Sequence, residues 1–239
     1  MAQEIFERYE KKYLLTCPQY HSLMCEMVKW MSADRYGRHT ISNIYFDTEN
    51  YELIRSSIEK PDYKEKVRLR AYGTVNHTSM VYAELKKKTG GIVYKRRMEM
   101  TLEEARNYFY KGLPPKNRNQ IFKEIDYAVK RYGLKPMAYV AYDRMAFFGK
   151  TDPELRVTFD RRIRCRDSRL DLAQGDSGIC LLKPDEILME IKIPGAMPLW
   201  MSRIFSELSI YPISYSKYGT YYKEVLIKRQ AEEGGRHCA

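Results

Sequence analysis

The stretch from Lys66 to Met100 constrains the fold more than any other part of the chain. It reads KVRLRAYG, a short polar link, and then MVYAELKKKTGGIVYKRRMEM. Side chains two apart on a β-strand point to one face. Arg68 therefore shares a face with Arg70, Glu84 with Lys86, and Lys95 with Arg97. The other parity is apolar: Val67, Leu69 and Ala71 in the first segment, Val81, Ala83 and Leu85 in the second. Gly73 and Gly90-Gly91 separate the segments; Thr89 to Gly91 suits a hairpin turn and lacks the spacing of a Walker phosphate loop. The alternation predicts antiparallel strands with one packed face and one densely charged face, a surface suited to a highly anionic partner. It leaves the register of Lys95 against Arg96 or Arg97 open.

The rest of the chain supplies more strands of the same kind. Glu7 to Leu15 reads as a strand with Glu10 and Lys12 on one face, and Ile41 to Asp47 as another. Between them Pro18 opens a helix whose Tyr20, Leu23, Met24, Met27, Val28 and Met31 recur at helical spacing, as core residues do. NYELIRSSI reads as a helical turn. Thr101 and Glu104 form a capping box that starts a helix ending before Gly112, and Asn119 to Tyr132 is a second helix, stopped at Gly133. Met137 to Phe148, Leu155 to Ile163 and Ile187 to Ile193 are strands, and Trp200 to Leu208 and the segment from Tyr218 are helical. Arg161 to Asp185 reads as a long polar surface connection, and its five arginines between Arg161 and Arg169 as a solvated run or an anion patch at its edge. The expected organisation is one α+β domain over residues 1–228, with a disordered tail at 229–239. About eight alternating strands are enough to close an antiparallel β-barrel.

Composition narrows the partner. A chain of 239 residues with 44% hydrophobic side chains can bury a core, and a net charge of +11 calls for an anion: nucleic acid, anionic lipid or a phosphate-rich small molecule. The five cysteines (Cys17, Cys25, Cys165, Cys180, Cys238) have no metal-ligand spacing, and their odd number fits reduced thiols. The four histidines (His21, His39, His77, His237) stand apart from one another, and most of the 21 tyrosines fall in strand or helix patterns, where they pack. No apolar leader or membrane-length run is present, which predicts a soluble, cytoplasmic protein.

Glu-x-Lys occurs in three separate strand candidates, at Glu10/Lys12, Glu84/Lys86 and Glu190/Lys192. Arg68/Arg70 form a basic pair, Arg144 follows Tyr142, and Arg156, Thr158 and Asp160 share a face. One such pair is usually a cross-strand salt bridge in water. Repeated on many strands with apolar backs, the set predicts an interior of cations with a few carboxylates. Such an interior is costly when empty. It makes sense around a polyphosphate, gripped by Lys and by bidentate Arg, and a divalent metal held by a carboxylate.

RYEKKYLL, SNIYFDT, KVRLRAYG, YAELKKK, YKRR, DR…LRVTFD, MEIKI and SKYG occur in this order across residues 5–225. The ordered set resembles the VTC domain of polyphosphate polymerases, in the CYTH-like superfamily of triphosphate tunnel metalloenzymes. The resemblance implies a closed tunnel of eight antiparallel strands that transfers the γ-phosphate of ATP to a growing polyphosphate chain with Mn²⁺ or Mg²⁺. It implies that Lys12, Arg68, Arg70, Lys86, Arg144 and Arg156 form the catalytic phosphate-binding wall. Glu10, Glu84, Lys95, Arg97, Lys192, Ser216 and Lys217 would be further substrate contacts, and Glu190 the metal ligand. Arg8 stands where the wider superfamily has the first Glu of ExExK, which separates this chain from the adenylate cyclase and thiamine-triphosphatase branches. ATP and inorganic polyphosphate are the expected partners and nucleic acid is not. The fungal relatives act within a membrane complex, so a separate membrane protein is an expectation from the family alone, with the chain peripheral to the inner membrane face. The same fold would also serve a tripolyphosphate or nucleoside triphosphate hydrolase, or a non-catalytic polyphosphate-binding module.

Overall fold

The computed structural model describes residues 9–90 and 92–229. In chain order the first elements are β1 (Tyr9–Thr16), α1 (Cys17–Trp30), β2 (Met31–Ala33), β3 (His39–Asp47) and α2 (Glu52–Glu59). Next come β4 (Lys64–Tyr72), β5 (Met80–Thr89), β6 (Ile92–Thr101), α3 (Leu102–Lys111) and α4 (Gln120–Tyr132). The chain continues with β7 (Lys135–Gly149), β8 (Arg156–Arg166), β9 (Ile179–Cys180) and β10 (Glu186–Ile193). It ends with α5 (Leu199–Glu207), β11 (Pro212–Ile213) and α6 (Lys217–Tyr221), which runs into a π-helical turn over Tyr222–Leu226. The expected start at Glu7, Arg8 and the tail beyond Arg229 lie outside the described residues.

The chain divides into two compact units. The first comprises the described parts of 1–39, 142–163 and 182–215, the second those of 40–141, 164–181 and 216–239, so β7 and β8 each pass through both.

In the first unit the strands run in the order β11-β1-β10-β8, and β2 pairs with the later half of β7; every pairing is antiparallel. α1 starts where the Thr16 hydroxyl oxygen accepts a hydrogen bond from the Gln19 amide and the Thr16 amide donates to Gln19 Oε1, a capping box reinforced by Pro18. Leu23 and Met27 of this helix, one turn apart, join Tyr13, Leu15, Phe159, Met189 and Ile191 in the core. Val28 does not: it points off the buried face and is half exposed, and Met31 reaches the core from β2, not from the helix. Trp30 and Trp200 stack, with ring centroids 5.9 Å apart and planes at 7°.

In the second unit the order is β7-β3-β4-β5-β6, β7 contributing its first half, and β9 pairs with the end of β8. The apolar parity of the charged hairpin is packed: Val67, Ala71, Val81, Ala83 and Leu85 are fully buried beneath α3 and α4. Each large side chain there is worth about 1.5–3 kcal/mol of burial. The capping box at Thr101 and the stops at Gly112 and Gly133 form, and Asn119 caps α4 by accepting from the Phe122 amide. Among the described residues Gly90 adopts φ 52° in the turn between β5 and β6, a left-handed conformation that costs glycine little.

Two expectations are corrected here. Eleven strands form among the described residues, and neither unit's sheet closes on itself, so the closed eight-stranded barrel does not appear in either. Arg161 to Asp185 is not a wholly irregular surface connection: β8 continues to Arg166, and Arg164 and Arg166 are buried. Arg166 donates to the carbonyls of Arg169, Gly175, Ser177 and Asp171 and lies 3.6 Å over the Tyr139 ring. Arg164 donates to the carbonyl of Asp176 at 2.9 Å and to its carboxylate. The run of arginines fastens its own loop: the buried guanidiniums of Arg164 and Arg166 find their acceptors in its backbone oxygens.

Candidate functional site

Two charged strand faces carry the residues singled out above, one in each unit.

The face in the second unit is a ladder in register across β4, β5 and β6. Arg68 lies opposite Glu84, which lies opposite Arg97; Lys66 lies opposite Lys86, which lies opposite Lys95. The pairing of β5 with β6 settles the place of Lys95 and Arg97: both are on the charged face, and Arg96 is on the other, paired with Glu124 at 3.1 Å. Glu84 is almost fully buried and holds three cations: Arg68 through Nε at 2.7 Å, Arg97 through Nε at 2.7 Å and Lys95 at 2.9 Å. Burial opposes its ionisation, but Arg68, Arg70 and Lys95 outweigh it and hold the carboxyl well below the usual carboxylate range. Burial also pushes the Lys95 ammonium down, with Glu84 opposing.

Aromatic and amide groups fix these arginines. Arg70 Nε donates to Asn43 Oδ1 at 2.9 Å, and Asn43 donates to the Val140 carbonyl. Arg68 reaches the Tyr45 hydroxyl at 3.3 Å; Tyr45 stacks on Tyr218, whose hydroxyl donates to buried Asp47. Arg97 donates to Tyr72 and lies 4.5 Å over the Tyr82 ring. Burial would raise the Tyr72 phenol, yet the adjacent Arg70 and Arg97 guanidiniums bring it below its ordinary value. Asn43, Tyr45, Tyr72 and Tyr82 escaped the sequence analysis. Strand parity could have found them, since Tyr72 continues the Arg68, Arg70 series and Tyr82 precedes Glu84 by two. Ser216 caps α6, accepting from the Gly219 amide, and Lys217 follows it close enough to Cys165 to draw that thiol downward against the larger effect of burial, which raises it.

The face in the first unit is built on β1, β10 and β8. Lys12 lies opposite Glu190 and Glu190 opposite Thr158; Glu10 lies opposite Lys192 and Lys192 opposite Arg156. The Lys12 ammonium is 3.0 Å from the Tyr215 carbonyl, 3.4 Å from Glu10 and 4.0 Å from Glu190; Lys192 is 3.7 Å from Glu190. A cavity of about 290 Å³ beside Lys12 is lined by Glu10, Lys11, Pro212, Ile213, Ser214 and Tyr215. Arg144 forks onto fully buried Asp160, with bonds of 2.7 and 2.8 Å. Burial disfavours its charge, but Tyr142, Asp160 and Glu190 more than offset this and raise it well above the ordinary value.

Among the described residues no three His, Cys, Asp or Glu side chains converge as a metal cage. Glu190 is nonetheless a carboxylate with cations on both sides, and the Thr158 hydroxyl opposite it in the sheet is buried without a hydrogen-bond partner. That donor set fits a hard cation of the Mg²⁺ type, which takes one or two carboxylates and completes its shell with phosphate oxygens and water. Glu84 suits such a role less well, because three cations already occupy it.

The sequence profile of the VTC domain matches residues 7–226. This chain belongs to the VTC domain family. A curated relative is the vacuolar transporter chaperone complex subunit 4 of Schizosaccharomyces pombe, 27% identical over an alignment 145 residues long that covers 52% of this chain and 20% of that protein. The VTC-domain chain thus spans about a fifth of that relative. Among solved structures, a Bacillus halodurans protein described as an adenylate cyclase superposes with a TM-score of 0.53 at 13% identity, covering 87% of this chain and 92% of its own. A Hippeastrum protein, described as an adenylyl cyclase with a dominant triphosphatase activity, gives a TM-score of 0.50 at 14% identity over 90% and 95%. At these identities the likeness is one of fold: antiparallel, sheet-rich and α+β. No helix among the described residues is long and apolar enough to cross a membrane.

Proposed function

We propose that this VTC-domain protein is an ATP-dependent polyphosphate polymerase that transfers the γ-phosphate of ATP to the end of an inorganic polyphosphate chain. The observation that carries it is the excess of cations on an ordered strand face: Lys66, Arg68, Arg70, Lys86, Lys95 and Arg97 against Glu84 and Glu99. Membership of the VTC family supports the same assignment.

The chemistry asks little of side-chain nucleophiles. A terminal polyphosphate oxygen is already ionised and attacks the γ-phosphorus of ATP; the new P–O bond forms as the bond to the β,γ-bridging oxygen breaks, and ADP leaves. Phosphoryl transfer of this kind depends on in-line positioning and on neutralising the charge of the transferring group. Arg68, Arg70 and Arg144 are the forks for non-bridging oxygens, and Lys12, Lys86 and Arg156 add point charge or reach. Glu84 keeps Arg68, Lys95 and Arg97 aligned before substrate arrives. Glu190 would hold Mn²⁺ or Mg²⁺ together with substrate phosphates, and the bound cation would offset charge on the leaving diphosphate. Glu10, Lys192, Ser216 and Lys217 complete the proposed contacts. A separate membrane protein partner, expected from the family alone, belongs to the same proposal.

Hydrolysis of triphosphates is the second candidate, because the Hippeastrum protein of similar fold is described with a triphosphatase activity. One incubation separates the two. Protein, ATP, Mn²⁺ and a short polyphosphate primer should give longer chains with matched release of ADP. Free phosphate without chain growth would replace the polymerase with the hydrolase, and binding with neither product would leave a non-catalytic module.

A further inference from the structure

The charged ladder continues past the residues considered so far. Two residues beyond the Lys66–Lys86–Lys95 row, Lys64 lies directly opposite Lys88. The same two strands show what they do when only stability is at stake. On their other face Glu65 lies opposite Lys87 and the two pair at 3.0 Å, whereas on the charged face Lys64 meets Lys88. Like charges placed opposite each other destabilise a sheet. Among the described residues neither Lys64 nor Lys88 has a carboxylate in ion-pair contact, and burial, Lys88 and Lys60 together lower the Lys64 ammonium below its ordinary value. Repulsion of this kind persists where an anion relieves it.

We propose that Lys64 and Lys88 form an outlying subsite that grips the continuing part of a long phosphate chain. Four residues of extended strand separate Lys64 from Arg68, roughly 13 Å, so a ligand filling the Arg68–Glu84–Arg97 row would have to be longer than a triphosphate to reach it. The subsite rests on the polyphosphate assignment above and adds to it a preference for chain length. Nucleic acid offers the same backbone charge but is not favoured, because no exposed ring lies in register with the Lys64–Lys88 row, where β6 contributes Val93.

Calorimetric titration of the wild-type protein, of Lys64→Gln/Lys88→Gln and of Lys88→Glu, each with tripolyphosphate and with long-chain polyphosphate, tests this. Both variants should bind the long chain about tenfold more weakly, from the loss of up to two ion pairs. The double variant should also show a log–log salt dependence shallower by about one to two. Their tripolyphosphate affinity should stay within about twofold of wild type, less than the loss of a single surface ion pair. Lys88→Glu should at the same time raise the thermal midpoint of the ligand-free protein, since it gives Lys64 the kind of partner that Lys87 has in Glu65. Equal losses for both chain lengths, or none for the long chain, would overturn the subsite while leaving the polyphosphate assignment intact. Wild-type protein that binds neither ligand removes both. Variants that lose single-stranded RNA and retain long polyphosphate would assign these lysines to a different ligand.

Discussion

Arg144 and Asp160 are joined by two parallel hydrogen bonds, Nε to Oδ1 at 2.7 Å and Nη2 to Oδ2 at 2.8 Å, with the Asp160 side chain wholly buried. A fork held on both prongs has one orientation, so the remaining edge of the guanidinium is aimed before any ligand binds. Asp160→Asn keeps the shape and removes the charge. It should destabilise the protein by about 3–5 kcal/mol, the usual cost of breaking a buried pair from one side. Urea unfolding measures this; a loss below about 1 kcal/mol, the range of exposed pairs, would show that Arg144 finds its place without the carboxylate.

Glu84 predicts a pH dependence. Its folded-state ionisation lies below the ordinary value of 4.5, so its contribution to stability is complete above that value and is lost as the pH falls from there through the depressed folded value. Glu84→Gln should cost about 1–3 kcal/mol at neutral pH, less than a fully buried pair because Arg68, Lys95 and Arg97 keep partial access to water. Below pH 4.5 the variant and wild type should converge. Parallel stability curves through that window would mean that another group governs the acid limb.

The unpartnered hydroxyl of Thr158 is a small liability in the ligand-free protein. Thr158→Val, of nearly equal volume and well suited to a strand, should raise stability by about 1 kcal/mol. Weaker tripolyphosphate binding by the same variant would place the hydroxyl in contact with ligand. A fall in stability instead would reveal a hydrogen bond made by this group.

Metal binding should depend on phosphate. With Glu190 as the proposed carboxylate and no three-ligand cluster among the described residues, Mn²⁺ titrated alone should give little heat. In the presence of tripolyphosphate it should bind measurably, and Glu190→Gln should weaken that second binding. Tight binding of Mn²⁺ to the protein without phosphate would point to a different ligand set.

Much of this was legible in the sequence because strand parity is a rigid constraint. Lys66 to Met100 announced its charged and packed faces, and the antiparallel pairing of β5 with β6 converted that alternation into a register in which Glu84 meets Arg97 and Lys86 meets Lys95. Glu-x-Lys on β1 and β10 likewise became cross-strand neighbours, Lys12 opposite Glu190 and Glu10 opposite Lys192. What parity does not encode is how a charge is satisfied by distant backbone. Arg164 and Arg166 looked like surface charge and are buried, because their partners are carbonyls of a loop whose path no local pattern fixes. Sheet closure is equally silent in the sequence, since an edge strand and an inner strand can share the same alternation. Val28 fits the helical period of α1 yet lies outside the arc that reaches the core, an error of angle that a count of apolar positions cannot detect.

The stacked indoles of Trp30 and Trp200 give the molecule a built-in optical label. They are the chain's two tryptophans and both belong to the first unit, whereas tyrosines occur in each. Emission excited at the red edge therefore watches the β1, β8 and β10 assembly alone, and far-ultraviolet dichroism watches the whole backbone. Coincident midpoints in one denaturant titration would identify a single cooperative transition; separated midpoints would resolve the melting of one charged face from that of the other.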